Sequence, residues 1–387
     1  METIHLIDQV ICKCVKDNDA WDKFDAPKVS SALNKKLVKS VVDVFSRCQT
    51  SKNMLSERCI QNRIDKIRKN RIVLKRLQGV PLIEQRTPEW YALRKTMITA
   101  SDFGDALAID KFGKKTDPKK IYEKKCGYEP PPEYDTASIF LKWGVMFEQV
   151  ATNIYEHRNN TKVHEFGLVQ NQRYSFLGAS PDGITDSGVM LEIKCPYKRV
   201  ITEDSILKQY FYQIQGQLDA CDLDECDFLE VRFDKYIHME EFLEDYENEF
   251  DCFTNMYKEK GIILENKNGT YMYSPFNETR DNVISWYHKN KDNTVNTVFW
   301  YLHSFTVKRV LKDVCFVDTM NKQLEEVWSN IVKYRNDEDL YNQNVKNQSV
   351  KTRKRQSAPI TKTNSKTNAT TNNVGSMFVF DPDENND

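Results

Sequence analysis

The chain has 387 residues, a formal net charge of −1 and ordinary apolar (40%) and charged (29%) shares, which suits one large domain with appendages or two modest ones. No apolar run approaches the roughly 18 residues of a membrane span, the start from Met1 to Asp8 lacks the pattern of a secretory signal, and so no membrane partner is expected. Overall charge gives no support for nucleic-acid binding, which would have to rest on local clusters. The ten cysteines are scattered without zinc-like spacing and read as reduced thiols of an intracellular protein.

Residues 1–80 read as a helical N-terminal region. Its most regular part runs from Arg58 to Leu77, where Ile60, Ile64, Ile67, Leu74 and Leu77 share one face. Arg63, Lys66, Lys69, Arg71 and Arg76 are among the cations on the rest of that surface, which is either a solvated basic face or a phosphate-contacting one. Thr87 is a good N-cap and Pro88 a good first helical residue; Trp90, Leu93 and Met97 then face a core. Arg94 sits near the end of that helix, and a second helix is expected to start at Ile98-Thr-Ala-Ser101. Arg94 with the hydroxyls there can form an anion pocket, or Arg94 can be salt-bridged while Ser101 merely caps.

Asp117-Pro118 opens a short helix, Lys119 to Cys126, closed by Gly127. After the stiff Pro130-Pro131-Pro132, a helix from Thr136 to Arg158 buries Phe147, Val150, Ala151 and Ile154. Glu148 borders this stripe, either paired structurally or aimed at a metal, and Gly144 is expected to let another segment approach. Residues 163–169 and 174–179 are strand-like. Ile206 to Cys221 is a helix with Phe211, Ile214 and Leu218 inward; Gln213 on it is either solvated or bonded to a catalytic group. A strand at 228–233, an acidic helix from Met239 to Tyr257 and a mixed portion closed by a helix over 324–334 follow. From 336 onward a disordered basic tail with an acidic end is expected. Its cluster Lys351-Thr-Arg-Lys-Arg355 is a nuclear-import signal, a nucleic-acid tether or simply solubilising.

The stretch Gly178 to Pro196 carries the chemistry. Asp182-Gly183 and Asp186-Ser187-Gly188 are turn signals, and Val189 to Cys195 is a short apolar strand. Alternation puts Glu192 and Lys194 on one face and Ile193 on the other, in a core. Asp182, ten residues before Glu192, can fold back beside it. Two carboxylates suit a divalent cation, and an ammonium beside them can orient a water. Glu-x-Lys alone is common on solvated strands. Within an apolar strand, preceded by Ser180-Pro-Asp-Gly, bare charges are costly unless paired or coordinated, and the balance favours chemistry.

Three blocks resemble the YqaJ-like viral recombinase and lambda-type exonuclease family of PD-(D/E)xK nucleases: Trp90…Arg94…Ile98-Thr-Ala-Ser101; Gly144-x3-Glu148-x2-Ala151; and Ser180-Pro-Asp-Gly…Leu191-Glu-Ile-Lys-Cys-Pro196 with Tyr212-Gln213-x-Gln215. The wider chain looks like a viral alkaline exonuclease of the baculovirus type. The resemblance implies an α/β, restriction-endonuclease-like core over residues 81–335, with a mixed central sheet flanked by helices. It implies a Mg²⁺-dependent (Mn²⁺ possible) 5′ to 3′ exonuclease on double-stranded DNA, acting in viral recombination and genome processing. Asp182, Glu192 and the backbone of Ile193 would ligate the metal, Glu148 would assist, Lys194 would orient the water and Gln213 would hold Lys194 or the phosphate. Arg94, Ser101 and Ser180 would grip a 5′-terminal phosphate. A single-strand DNA-binding or annealing protein, a homo-oligomer and the host nucleus are the implied partners and place. An endonuclease or structure-specific nuclease, or a non-catalytic recombination scaffold, are the competing classes.

Overall fold

In the computed structural model, residues 2–26, 31–47, 56–81, 83, 85, 87–110, 113–128, 138–202, 205–247 and 259–346 are described. The three prolines, the second half of the acidic helix and the Lys351–Arg355 cluster lie outside them. The N-terminal periodicity becomes a helical bundle: α1 (Glu2–Lys16), α2 (Trp21–Asp25) and α3 (Ser31–Arg47) pack on α4 (Glu57–Gln78). Ser56 caps α4, its Oγ accepting from the Cys59 N–H at 3.2 Å. Ile60, Ile64 and Ile67 join Ile11, Phe24 and Leu37 in one cluster, whereas Leu74 and Leu77 reach into a second core shared with the sheet.

The basic face of α4 is neither simply solvated nor open to phosphate. Arg63 bonds Asp8 and Glu225 at 2.5 and 2.6 Å. Lys66 and Lys69 meet Asp224, Arg76 meets Asp222, and Arg71 meets Asp25 and the carbonyl of Asp186. Asp8 and Asp25 are partners inside the bundle, whereas Asp222, Asp224, Glu225 and the Asp186 carbonyl dock it on the sheet region.

Downstream lie α5 (Pro88–Lys95), β1 (Ile98–Thr99), α6 (Phe103–Ala106), α7 (Lys119–Cys126) and α8 (Ser138–Asn159). Gly127 ends α7 at a φ of 80°, where a side chain would be strained. Then come β2 (Val163–His164), β3 (Val169–Gln170), β4 (Leu177–Ala179), β5 (Gly183–Thr185), β6 (Met190–Lys194), α9 (Lys208–Cys221) and β7 (Glu225–Lys235). The remainder is α10 (Met239–Glu247), β8 (Lys260–Asn266), β9 (Tyr271–Tyr273), α11 (Arg280–Asn290), β10 (Thr294–Leu311), α12 (Val314–Asn336) and α13 (Glu338–Tyr341).

A seven-stranded mixed sheet runs β2-β5-β6-β7-β10-β8-β9, and β1, β4 and β3 form a small second sheet. Within the large sheet, β6 and β7 are parallel and β10 is antiparallel to both β7 and β8. Leu191, Ile193, Leu229, Val231 and Phe233 pack with α8 residues Phe147, Val150 and Ile154. Met190, Cys226 and Phe228 pack with Ile214 and Leu218 of α9 and Leu74 of α4. This alternation makes the expected mixed α/β architecture, with helices on both faces. No described helix is long and apolar enough to cross a membrane, and the described cysteines form no disulfide.

Two expectations are corrected. A Cβ at Gly144 would meet nothing within 4 Å, so that glycine admits no close approach. The expected tail does not begin at 336: Tyr341 and Val345 are buried in the core formed with α12, because apolar residues spaced by four within a polar stretch suffice to dock a turn.

A buried ion network ties the bundle to the sheet. Asp227 accepts from Arg309 and, at 2.6 Å, from the Tyr155 hydroxyl, and lies 2.9 Å from His5 Nε2. Burial alone would raise the Asp227 carboxyl, but Arg309 and His5 hold it far below the usual carboxylate range. Replacing Arg309 with Met would leave Asp227 and Glu225 short of a cation and should lower unfolding stability by about 3–5 kcal/mol, read from denaturant midpoints at neutral pH. A depressed carboxylate contributes stability above its unfolded pKa and loses it as pH falls. The gap between wild type and variant should therefore shrink on acidification below about pH 4.

Candidate active site

The hairpin β5–β6 forms as its turn residues require. Gly188 takes a φ of 73°, and a Cβ there would lie 2.6 Å from Asn70, so the turn that starts the strand also fits tightly against α4. Gly183 opens β5 with no room for a Cβ, which would stand 2.2 Å from Val163. Folding back across this hairpin, Asp182 Oδ2 accepts the Ile193 backbone N–H at 2.6 Å. The alternation puts Lys194 Nζ 2.5 Å from Glu192 Oε1, while Ile193 points into the opposite core.

Glu192 is 1% exposed, and both of its oxygens are engaged. Gln213 donates to Oε1 at 2.6 Å and Gln217 to Oε2 at 2.6 Å. Thus Gln213 holds Glu192 directly and not Lys194. Gln217 has no role in the sequence reading, although it sits four residues after Gln213 on the same helical face; that spacing was the available signal. The intervening Gln215 turns away: it donates to the Leu311 carbonyl at 2.9 Å and accepts from the Asp313 N–H at 2.8 Å, joining β10 to α12. A Cβ on Gly216 would come 2.2 Å from Phe103, so this glycine lets α9 lie close against the α6 segment.

The electrostatics bring Glu148 into the group. Burial pushes the Asp182 carboxyl well above its ordinary range, and the charges of Glu192 and Glu148 push it further, against smaller opposing effects of Lys194 and the Ile193 N–H. Burial would lower the Lys194 ammonium, but Glu192 and Asp182 more than offset this and hold it protonated above its usual value. Three carboxylates therefore act on one another with one ammonium among them. Among the described residues no trio of His, Cys, Asp or Glu is already arranged as a cation cage; Glu192 is bonded to side-chain donors and Asp182 to a backbone N–H. The donor set is nonetheless all oxygen and carries excess negative charge, which fits a hard divalent cation.

Arg94, Ser101 and Ser180 gather around Trp90. Arg94 donates to Ser101 Oγ at 2.9 Å and lies 4.4 Å over the Trp90 ring; the indole N–H donates to Ser180 Oγ at 3.3 Å. The Thr87 cap and Pro88 form as expected, Thr87 Oγ1 accepting from the Trp90 N–H at 3.3 Å. The expected second helix is instead β1, a 3-10 turn over Ala100–Asp102 and the four-residue α6. So short an element offers little dipole, and any attraction for an anion rests on side chains. Asp102 is buried between Lys124 and Lys125, each at 2.7 Å, with Arg94 at 3.9 Å. Burial opposes its ionisation, yet Lys125, Lys124 and Arg94 hold it far below the usual range. Three cations against one carboxylate leave this pocket positive. Gln217 links it to the acidic group, donating also to the Ser180 carbonyl at 3.4 Å.

Residues 89–224 match the family model of the YqaJ-like viral recombinase domain. That stretch is similar to the YqaJ-like viral recombinase domain. All the residues of both clusters fall inside it. The uncharacterized protein R354 of Acanthamoeba polyphaga mimivirus is 28% identical over 315 residues, covering 70% of this chain and 56% of that protein; the chain thus spans just over half the length of this relative. Among solved structures, the alkaline exonuclease LHK-Exo of Laribacter hongkongensis is 16% identical, with a TM-score of 0.41 over 69% of this chain and all of the other. A SOX–DNA complex is 11% identical, with a TM-score of 0.36 over 85% of this chain and 91% of the other.

Removing the Gln217 donor should leave the buried Glu192 Oε2 unpaired. Gln217→Leu is expected to lose about 2 kcal/mol of stability, measured by chemical denaturation.

Proposed function

We propose that this protein is a metal-dependent DNA exonuclease that hydrolyses phosphodiester bonds, working 5′ to 3′ on duplex DNA in viral recombination or genome processing. The observation that carries this reading is the convergence of Asp182, Glu192 and Lys194 on one hairpin with Glu148 acting on the same charges. Asp182 and Glu192 would hold Mg²⁺ with the Ile193 carbonyl, and Glu148 would assist. Bound there, the ion would neutralise the phosphodiester and sharpen a water nucleophile. Lys194, held as ammonium, would orient that water and face the developing negative charge. Gln213 and Gln217 fix the Glu192 carboxylate so that it does not rotate away. The positive pocket of Arg94, Ser101 and Ser180 supplies a guanidinium and two hydroxyls, which suit a terminal phosphate dianion.

The deciding experiment compares linear duplex DNA with and without a 5′ phosphate, and a covalently closed circle, in Mg²⁺. The linear phosphorylated duplex should be degraded, Lys194→Ala and Glu192→Ala should abolish cleavage, and Lys194→Ala should still bind DNA. Arg94→Ala should erase the preference for the phosphorylated end. Cutting of the circle would establish an endonuclease instead, and metal-independent DNA binding without cleavage would establish a scaffold.

Without DNA, Gln217→Leu is also expected to weaken Mg²⁺ binding roughly 10–100-fold, followed by calorimetric titration. Unchanged affinity would place the ion away from Glu192.

A further inference from the structure

The turn of the β5–β6 hairpin is gripped from a part of the chain that contributes nothing else to the acidic group. α4 lies outside the stretch 89–224 that matches the family model, yet its buried Arg71 reaches that turn. All three guanidinium nitrogens are engaged. Nε and Nη2 donate to the two oxygens of Asp25 in α2 at 2.6 and 2.7 Å, and Nη1 donates to the Asp186 carbonyl. The guanidinium carbon stands 3.8 Å over the Trp21 ring, so a carboxylate and a ring together fix the plane of the fork. One residue earlier, buried Asn70 fills the space that a Cβ on Gly188 would need.

This turn fixes the register of the hairpin. Gly183 pairs with Leu191 and Ile184 with Met190, so the next step of the ladder sets Asp182 opposite Glu192. Within the turn, the Thr185 N–H donates to the Val189 carbonyl and the Gly188 N–H to the Thr185 carbonyl, both at 2.8 Å. The Asp186 side chain faces β2: it accepts from the Lys162 N–H at 2.9 Å and lies 2.8 Å from His164 Nε2. Its carbonyl takes Arg71. A slip of one residue would turn Glu192 and Lys194 to the opposite face. A smaller displacement of the turn would change the spacing of two carboxylates that must meet at one ion.

Resting on the nuclease reading, we propose that Arg71 is a positioning residue: it pins the hairpin turn to the N-terminal bundle and so holds Asp182 opposite Glu192 for the cation. The bundle is then a working part of the site. The test compares the full-length protein with Arg71→Met and with Ile64→Ala. Ile64 is buried in the bundle's own core, so truncating it loosens the bundle without touching the turn. Amide hydrogen exchange without metal reads the hairpin, because the Ile193 N–H is bonded to Asp182. The Ile193 and Gly188 amides should exchange roughly tenfold faster in Arg71→Met and at the wild-type rate in Ile64→Ala. Calorimetric titration without DNA should show Mg²⁺ bound roughly 10–100-fold more weakly by Arg71→Met and equally well by Ile64→Ala. Melting curves set a temperature at which every variant is folded; if Arg71→Met does not fold, Arg71→Lys, which keeps the charge and lacks the fork, is read in its place. Wild-type exchange at Ile193 in the folded variant overturns the proposal, and so does unaltered Mg²⁺ affinity despite faster exchange. An equal change in Ile64→Ala also overturns it, by reducing the effect to general stability. Wild type that binds no Mg²⁺ would sink the nuclease reading, and exchange alone would then decide the role of Arg71; Mg²⁺-dependent cleavage with unaltered exchange would sink the role of Arg71 and leave the nuclease reading standing.

Discussion

A carboxylate buried in an apolar sheet must be held by donors or by a cation, and Glu192 shows how much structure that demands. Its two oxygens take Lys194, Gln213 and Gln217. The first comes from its own strand, the others from a helix some twenty residues later. Bringing those glutamines within reach requires α9 to lie close to the sheet, and the glycine at 216, facing Phe103, lets it do so. The same helix buries Ile214 and Leu218 against Met190 and Phe228. Packing and polar satisfaction are thus two consequences of one helix placement.

Asp182 supplies the complementary constraint. Its bond to the Ile193 N–H fixes it across the hairpin from Glu192, where burial and like charge oppose its ionisation. Such opposition is poor for stability and suited to a site that takes up positive charge. Nearby, Asp102 lies under the opposite balance, outnumbered by Lys124, Lys125 and Arg94. An acid-rich cluster and a base-rich pocket stand side by side, joined through Gln217 and Ser180.

The helical bundle belongs to the same electrostatic system. Arg63 of α4 and Arg309 of β10 share Asp8 and Glu225, and Arg309 reaches Asp227, two strand positions along β7. The cations of α4 therefore face carboxylates at the beginning of β7, which runs parallel to β6. A surface that reads from sequence as available for phosphate is largely consumed in holding two parts of the chain together.

Local pattern determined a great deal. The period of α4, the Thr87–Pro88 cap, the Gly127 stop, the buried stripe of α8 and the Glu192–Lys194 alternation are all written in residues within a few positions of one another, and the structure forms each of them. The Asp182–Glu192 approach was legible because a hairpin is a short-range fold. What only tertiary structure decided is what depends on distant partners. Gln217 and Gln215 are alike in sequence, yet one holds Glu192 and the other ties β10 to α12. The basic face of α4 acquired its meaning from Asp222, Asp224 and Glu225. The 18-residue β10 was unreadable because it mixes polar and apolar positions: it serves two neighbouring strands and carries Lys308 and Arg309 into buried ion pairs. Periodicity reports which face of an element is apolar, and it is silent on which partner arrives to satisfy a charge.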